Sequence, residues 1–206
     1  HAGCPICAGL YEDDVPVLSP DQPCPACLAR PPAYDLARAA LRYDAISRQL
    51  ILPLKHGGRR DGLEIFAGWM EAAASGHLER GDLIVPVPLH LSRLASRGFN
   101  QSLWLAAALS RRTGHKLVRD MIFRTRPTPS QAGQNARGRR QNMRAAFAIR
   151  RPYEGRIKGA RIVLIDDVYT TGATVEACAR QLKAAGAGHV FVLTLARVVR
   201  PMDVTI

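Results

Sequence analysis

The sequence is short of acidic residues, of aromatic residues and of long apolar runs. Only 17 of its 206 residues are Asp or Glu, against 29 Lys and Arg, and aromatic residues make up 6%. So few aromatics leave little material for stacking nucleobases, and the candidates are Tyr34, Tyr43, Phe99, Trp104 and Tyr169. No apolar run reaches the length of a membrane span, and no secretory signal peptide is visible. We therefore expect a cytoplasmic protein without a membrane span.

The net charge of +12 is concentrated in one quarter of the chain. Residues 111–161 hold 15 of the 29 Lys and Arg residues, with only Asp120 and Glu154 as acids. Such a segment can be a solvated loop, a clamp for pyrophosphate or a track for a nucleic-acid backbone, because clustered Arg side chains suit phosphates by charge and geometry. The composition leaves these interpretations open.

Four of the five cysteines form two C-x-x-C pairs with 16 residues between them: Cys4 and Cys7, then Cys24 and Cys27. The spacing is typical of a structural zinc site with four thiolates, since each pair directs two sulfur atoms at one point. Two disulfides are the alternative, which a cytosolic protein disfavours. We expect a zinc ribbon over residues 1–33, which could hardly fold without its metal, followed by an α/β domain over residues 34–206.

Residues 161–174, RIVLIDDVYTTGAT, are the most informative stretch of the chain. An apolar run predicts a buried strand, Asp166 and Asp167 follow at its carboxyl end, and a Thr/Gly loop then opens a helix. Ligands of open α/β sheets lie at that edge, and a helix N-terminus suits a phosphate. The alternative is an ordinary strand-to-helix turn with a Thr N-cap. The pattern predicts a sugar-phosphate site.

The helix after this loop carries the fifth cysteine. Val175, Cys178, Ala179 and Leu182 share one face of it, which predicts that Cys178 is a buried structural thiol.

Apolar periodicity predicts the other elements in coarse form. Two helices are expected from Asp44 to Leu54 and from about Gly62 to Gly76, and a third over residues 102–112. Residues 83–90 read as a short strand running into prolines, and residues 121–124 as another strand. Residues 37–43 fit either a strand or the start of a helix.

The stretch at 161–174 resembles the 5-phosphoribosyl-1-pyrophosphate (PRPP) signature of type I phosphoribosyltransferases. The resemblance implies that Asp166 and Asp167 face the ribose hydroxyls and act in catalysis, with Mg²⁺ accompanying PRPP. It implies that the 5-phosphate is wrapped by Thr170, Thr171, Gly172, Ala173 and Thr174, and that Val168 and Tyr169 also belong to the PRPP-binding residues. The implied fold is the type I phosphoribosyltransferase fold, a mostly parallel central sheet flanked by helices.

Two further segments match parts of such enzymes. VPVPLH is similar to the pyrophosphate loop of amidophosphoribosyltransferase-like enzymes, which implies a pyrophosphate site at Pro86, Val87, Pro88, Leu89, His90 and Arg93. A proline-ended edge strand is the alternative, and a cis peptide in this loop is a possibility that the sequence leaves open. Residues 128–144 are polar and basic, where the family has a mobile lid. Arg137 and Arg140 are the candidate catalytic cations of that lid, and Arg137, Arg139, Arg140 and Arg144 the candidate DNA contacts.

As an ordered set, six segments of the chain look like the ComF (ComFC/GntX) family of competence proteins. They are the paired C-x-x-C ribbon, LKHGGRRD, VPVPLH, RGFNQ, PSQAGQNARGRRQNMRAAF and IVLIDDVYTTGAT. This resemblance implies a role in natural transformation, with single-stranded DNA as a partner, at the cytoplasmic side of the membrane. A DNA-translocating helicase is a further partner that it suggests.

Two interpretations of the site stay open. The chain either binds PRPP while handling DNA, or is an active transferase in nucleotide metabolism that releases pyrophosphate. Only nine residues follow Arg197, so we expect no C-terminal hood that reads a nucleobase. An acceptor pocket would then come from residues 36–80 or from the ribbon. Lys55, His56, Arg59 and Arg60 are candidates to face it, and a solvated helix end is the alternative for these four residues. A glutamine amidotransferase is disfavoured, because Cys4 belongs to the ribbon.

Overall fold

A computed structural model of the chain describes residues 3–9, 22–56, 60–89, 98–125 and 146–198. The helices within this part are α1 (Pro25–Ala29), α2 (Ala45–His56), α3 (Leu63–Ala73), α4 (Gln101–Thr113), α5 (Glu154–Ile157) and α6 (Ala173–Ala184). The strands are β1 (Leu36–Arg42), β2 (Leu83–Pro86), β3 (Lys116–Leu117), β4 (Ile122–Arg124), β5 (Phe147–Ile149), β6 (Arg161–Tyr169) and β7 (His189–Arg197).

The main sheet has five strands in the order β1-β7-β6-β2-β3. All of its pairings are parallel, whereas β4 and β5 form a separate antiparallel pair. The predicted α/β class with a mostly parallel central sheet is therefore confirmed. Because parallel strands share one direction, the carboxyl ends of β2, β6 and β7 meet at one edge.

The central strand β6 is buried on both faces. Ile162 and Leu164 pack into one core and Val163 and Ile165 into the other, all with 0% exposure. Helices cover both faces of a parallel sheet, so such a strand reads as a continuous apolar run. Each of these side chains contributes about 1.5–3 kcal/mol of hydrophobic stabilisation, and together they fix the strand that carries the acidic pair.

Helix α6 packs on the first of these cores through the predicted face. Val175, Cys178, Ala179 and Leu182 are buried there with Ile162 and Leu164. Burial raises the pKa of the Cys178 thiol well above its usual value, which keeps it protonated and unreactive. The prediction of a structural thiol at this position is confirmed.

Helices α2 and α3 follow β1 and agree with the predicted segments. Asp44 Oδ1 accepts hydrogen bonds from the backbone N–H of Ile46 (3.0 Å) and Ser47 (2.8 Å), which caps the start of α2. The helix runs to His56, two residues beyond the predicted end at Leu54. Residues 36–42 form a strand, which decides the alternative that the sequence left open.

The β4–β5 pair contains one strand that the sequence suggested and one that it did not. The predicted strand at 121–124 appears as β4, while β5 and the two-residue β3 are too short for a periodic signal. The Thr125 N–H donates to the Ala146 carbonyl oxygen at 2.8 Å. This hydrogen bond holds together Thr125 and Ala146, the two residues that flank the basic segment. The basic segment itself, residues 126–145, lies outside the described residues.

Among the described residues, no helix has the length and apolarity needed to cross a membrane.

Candidate functional site

The four cysteines of the predicted ribbon come together at one point. Their sulfur atoms lie within 4.8 Å of one another, and the Cys7 and Cys24 sulfurs are 3.8 Å apart. A tetrahedral zinc ion with sulfur at about 2.3 Å requires neighbouring sulfurs about 3.8 Å apart. Cys4, Cys7 and Cys27 are buried, and all four thiols are free of disulfides. The geometry fits a closed zinc site, and four free thiols around one point favour it over the alternative of two disulfides.

Backbone N–H groups point at the sulfur atoms of the cluster. Cys4 Sγ accepts from the N–H of Cys24 (3.3 Å) and Cys7 (3.5 Å), and Cys7 Sγ accepts from Gly9 N–H (3.4 Å). Burial raises the pKa of Cys4, but the N–H donors outweigh it and bring the pKa to about 7. Cys4 therefore favours the thiolate that a metal needs, whereas burial raises the pKa of Cys7 and the pKa of Cys27 while no metal is bound.

The acidic pair lies within the last four residues of β6, which continues to Tyr169. Asp166 Oδ1 accepts hydrogen bonds from the Ser102 hydroxyl and from the backbone N–H of Asp167, each at 2.9 Å. Asp167 Oδ1 accepts from the Val168 N–H at 2.6 Å. Both carboxylates are held in fixed orientations at the carboxyl edge of the sheet, which suits them to bind hydroxyl groups or a hydrated cation.

Ser102 is a site residue that the sequence interpretation missed. It is 4% exposed and lies in the first turn of α4, 64 residues before its acidic partner. The available signal was the Asn100 N-cap, whose side-chain oxygen accepts from the N–H of Ser102 (3.0 Å) and Leu103 (3.4 Å). That cap orients the start of α4 towards β6.

Asn100 also fixes the proline-containing loop. Its side-chain amide donates to the Val87 carbonyl oxygen at 3.1 Å, and the Val87 N–H donates to the Ile165 carbonyl oxygen at 2.8 Å. Pro86 is the last residue of β2, beside Ile165, and Val87 is buried. No peptide bond of the described residues is cis. The start of this loop thus lies beside the acidic pair, while His90 and Arg93 lie outside the described residues.

The predicted phosphate loop turns at Gly172. Gly172 is the N-cap of α6 and has a φ of 74°. The N-cap residue therefore has no side chain to cap the helix, and the alternative of a Thr N-cap is wrong. A Cβ atom at Gly172 would overlap the Tyr169 hydroxyl. Thr171 Oγ1 contacts the Ala173 N–H at 3.5 Å. The turn presents the positive end of a 12-residue helix beside Asp166 and Asp167.

Tyr169 is anchored on three sides. Its hydroxyl is 2.9 Å from the Tyr34 hydroxyl, its ring lies under the Arg197 guanidinium at 4.2 Å, and its tip covers Gly172. Burial raises the pKa of Tyr169. It is therefore a neutral packing residue of the loop.

The other predicted residues are only partly described. Arg60 stacks on the Trp104 ring at 4.5 Å, and Phe99 stacks on the same ring at 4.4 Å. Arg60, Trp104 and Phe99 therefore form a stack of three side chains. Arg59, Arg137, Arg139, Arg140 and Arg144 lie outside the described residues, as do the side chains of Lys55 and His56.

A basic surface is present at the other end of β2. Two adjoining depressions of 510 Å³ and 440 Å³ share Asp120 and Tyr153. Their cations are Lys116, Arg119, Arg150, Arg151 and Arg156. We call this the basic groove. Arg150 is engaged within the protein, since it pairs with Asp120 at 3.4 Å and lies over the Phe123 ring at 5.3 Å.

Several proteins are similar to this chain in sequence. No family model matches. The DNA utilization protein YhgH of Escherichia coli K12 is 32% identical over 214 residues, which cover 94% of this chain and 83% of that protein. The chain belongs to the ComF family of competence and DNA utilization proteins. Within that family, Competence protein F of Haemophilus influenzae is 33% identical over 62% of this chain and 55% of that protein. ComFC of Bacillus subtilis is 28% identical over 78% of this chain and 63% of that protein.

Solved structures similar to this ComF-family chain include phosphoribosyltransferases. The glutamine PRPP amidotransferase of Bacillus subtilis matches 69% of the chain at 22% identity, with a TM-score of 0.45, and the chain spans 30% of that protein. Adenine phosphoribosyltransferase of Thermoanaerobacter pseudethanolicus matches 66% of this chain and 81% of its own at 18% identity, with a TM-score of 0.42.

Proposed function

We propose that this ComF-family protein binds PRPP with Mg²⁺ at the carboxyl edge of its sheet and handles single-stranded DNA during DNA uptake. The observation that carries the PRPP proposal is the succession of two oriented carboxylates, a glycine turn and an α-helix N-terminus whose N-cap residue is a glycine. Carboxylates suit ribose hydroxyls, and a helix N-terminus suits a phosphate.

The pyrophosphate half of PRPP would lie on the other side of the acidic pair. The loop that starts at Pro86 is bonded to β6 through Val87 and to α4 through Asn100. This rigid start supports a pyrophosphate site over residues 86–93. The lid cations Arg137 and Arg140 would close over it, since positive charge stabilises a bound or leaving pyrophosphate. The bonded pair Thr125 and Ala146 supports a lid that begins and ends at one point.

The DNA part of the proposal rests on charge and on the relatives. YhgH is named for DNA utilization and ComFC for competence. Five cations line the basic groove against Asp120 and Glu154 as acids, a balance that attracts a phosphate backbone. Arg137, Arg139, Arg140 and Arg144 are proposed as additional DNA contacts. A DNA-translocating helicase is proposed as a protein partner.

Binding of Mg²⁺ and PRPP by isothermal titration tests the first part. The wild-type chain should bind saturably, and the double variant Asp166→Asn/Asp167→Asn should not. The variant Asp120→Asn removes a carboxylate of the basic groove, distant from the acidic pair, and serves as the control. Equal affinity of the wild type and the double variant would refute the assignment of the site.

An active transferase is the second candidate function. In that reaction an acceptor attacks C1 of the ribose, the bond to the pyrophosphate oxygen breaks, and pyrophosphate leaves with the electron pair. Two oriented carboxylates favour such chemistry because they can oppose the positive charge that develops on the sugar, and the proposed lid cations would stabilise the leaving pyrophosphate. Pyrophosphate release from PRPP, measured with candidate acceptors and with or without DNA, separates the two functions. Binding without release in any condition would leave the chain as a binding protein.

A further inference from the structure

The ribbon and the phosphate loop are joined through one arginine. Arg197, the last residue of β7, donates to the Cys7 carbonyl oxygen, and its guanidinium lies 3.7 Å from Cys7 Sγ. The same guanidinium lies 4.2 Å above the Tyr169 ring. A planar cation serves both contacts at once, because it donates in its plane and stacks on its face. Arg197 thus touches a predicted zinc ligand and a residue of the phosphate loop together.

Tyr169 in turn packs against Gly172, where the loop turns. The tip of its ring occupies the space that a Cβ of Gly172 would fill. Gly172 sets the left-handed turn that starts α6, with a φ of 74°. A displacement of the Tyr169 ring therefore leaves the backbone at Gly172 without the surface it packs on.

The segment that follows the ribbon makes two more contacts with the same region. The Tyr34 hydroxyl is 2.9 Å from the Tyr169 hydroxyl. The Ala33 N–H donates to Glu176 Oε2 at 2.8 Å, and Glu176 lies in the first turn of α6. Three independent contacts thus join the ribbon and its exit segment to the loop and the helix start.

We infer that the four-cysteine ribbon is a positioning element for the phosphate loop, and that Arg197 and Tyr169 are its positioning residues. This inference rests on the proposed phosphate binding at residues 170–174. A metal that orders the ribbon fixes Cys7, and Cys7 fixes Arg197 over Tyr169. Because coupling between two binding sites is reciprocal, zinc then strengthens ligand binding at the loop and the ligand strengthens zinc binding.

Hydrogen exchange tests the coupling without any ligand. Amides of residues 170–175 should exchange faster when zinc is removed by a chelator, and faster in Arg197→Lys than in the wild type. Arg42→Lys is the matched control. Arg42 is the register neighbour of Arg197 on the adjacent strand β1, and it lies at the exposed end of that strand. Unchanged exchange at 170–175 on zinc removal and in Arg197→Lys would overturn the inference.

Linkage between the two ligands distinguishes positioning from simple support of the fold. Mg²⁺ and PRPP should slow the loss of zinc to a chromophoric chelator in the wild type, and less so in Arg197→Lys. Typical coupling would weaken PRPP binding in that variant by roughly fivefold or more.

If Arg197→Lys does not fold, Tyr34→Phe removes one hydrogen bond and should give a smaller change in the same direction. Zinc loss that PRPP leaves unchanged in the wild type, although PRPP binds, would overturn the inference. A wild type that binds no PRPP but shows the exchange effect would refute the proposed function and keep the coupling.

Discussion

The Ser102 hydroxyl donates a hydrogen bond to Asp166 Oδ1 at 2.9 Å, which ties the first turn of α4 to the acidic pair of β6. A hydrogen bond to a charged group typically contributes about 1.5–3 kcal/mol. The bond holds one carboxylate oxygen in place, so the orientation of the pair depends on a helix that is distant in sequence.

Replacement of Ser102 by alanine should weaken Mg²⁺–PRPP binding by about tenfold, which corresponds to about 1.4 kcal/mol of lost orientation. Ser110→Ala is the matched control, because Ser110 lies in the same helix and donates to the His115 carbonyl oxygen at 2.6 Å, away from the site. Both variants should lower the free energy of unfolding, by about 1.5–3 kcal/mol for Ser102→Ala and by about 1 kcal/mol for Ser110→Ala, and only Ser102→Ala should lower the affinity. Titration calorimetry and denaturant unfolding measure the two quantities, and equal affinities would show that Ser102 is structural only.

The turn of the phosphate loop predicts a large effect of Gly172→Ala. A left-handed φ of 74° costs a non-glycine residue about 1–2 kcal/mol, and the new Cβ would also overlap the Tyr169 hydroxyl. Gly114 has the same φ of 74°, and a Cβ added there would meet no atom within 4 Å, so Gly114→Ala reports the backbone cost alone. Gly172→Ala should destabilise the chain more than Gly114→Ala and should abolish PRPP binding. Equal losses in denaturant unfolding would mean that the Tyr169 ring moves aside freely.

The cysteine cluster predicts about one zinc ion per chain, since four thiolates close one tetrahedral site. Cys24→Ser should lower the zinc content, whereas Cys178→Ala should retain it because Cys178 lies on the buried face of α6 and outside the cluster. Elemental analysis of the purified variants measures the difference. A metal-free wild type whose ribbon stays folded would count against the zinc site.

The basic groove predicts a salt-dependent contact with single-stranded DNA. Each phosphate contact contributes about 0.7 to the slope of log affinity against log salt, so Arg119→Ala/Arg151→Ala should lower that slope by about 1.4. Arg111→Ala/Arg112→Ala removes the same charge from α4, where the two side chains pair with Glu64 and Glu71, and should leave the slope unchanged. Equal effects of the two double variants would mean that net charge alone sets DNA affinity. Arg137→Ala/Arg139→Ala/Arg140→Ala tests the lid contacts in the same way.

Local patterns predicted the elements on which the site is built. The buried strand β6, the helix α6 and the C-x-x-C pairs each depend on residues close together in sequence, and all three were found. The contacts that complete the site could not be predicted in this way, because Ser102 meets Asp166 and Arg197 meets Cys7 only after the sheet has formed. The strands β3 and β5 have two and three residues, and their pairing partners define them more than their own sequence does.

The hydrogen bond from Thr125 to Ala146 also bears on how this family can diverge. The antiparallel pair β4–β5 holds both ends of residues 126–145 together. The number of residues between these ends therefore does not affect the main sheet. Doubling the length of a closed loop costs only about 0.6 kcal/mol. Insertions and deletions between these two residues should therefore accumulate among homologues without loss of the fold.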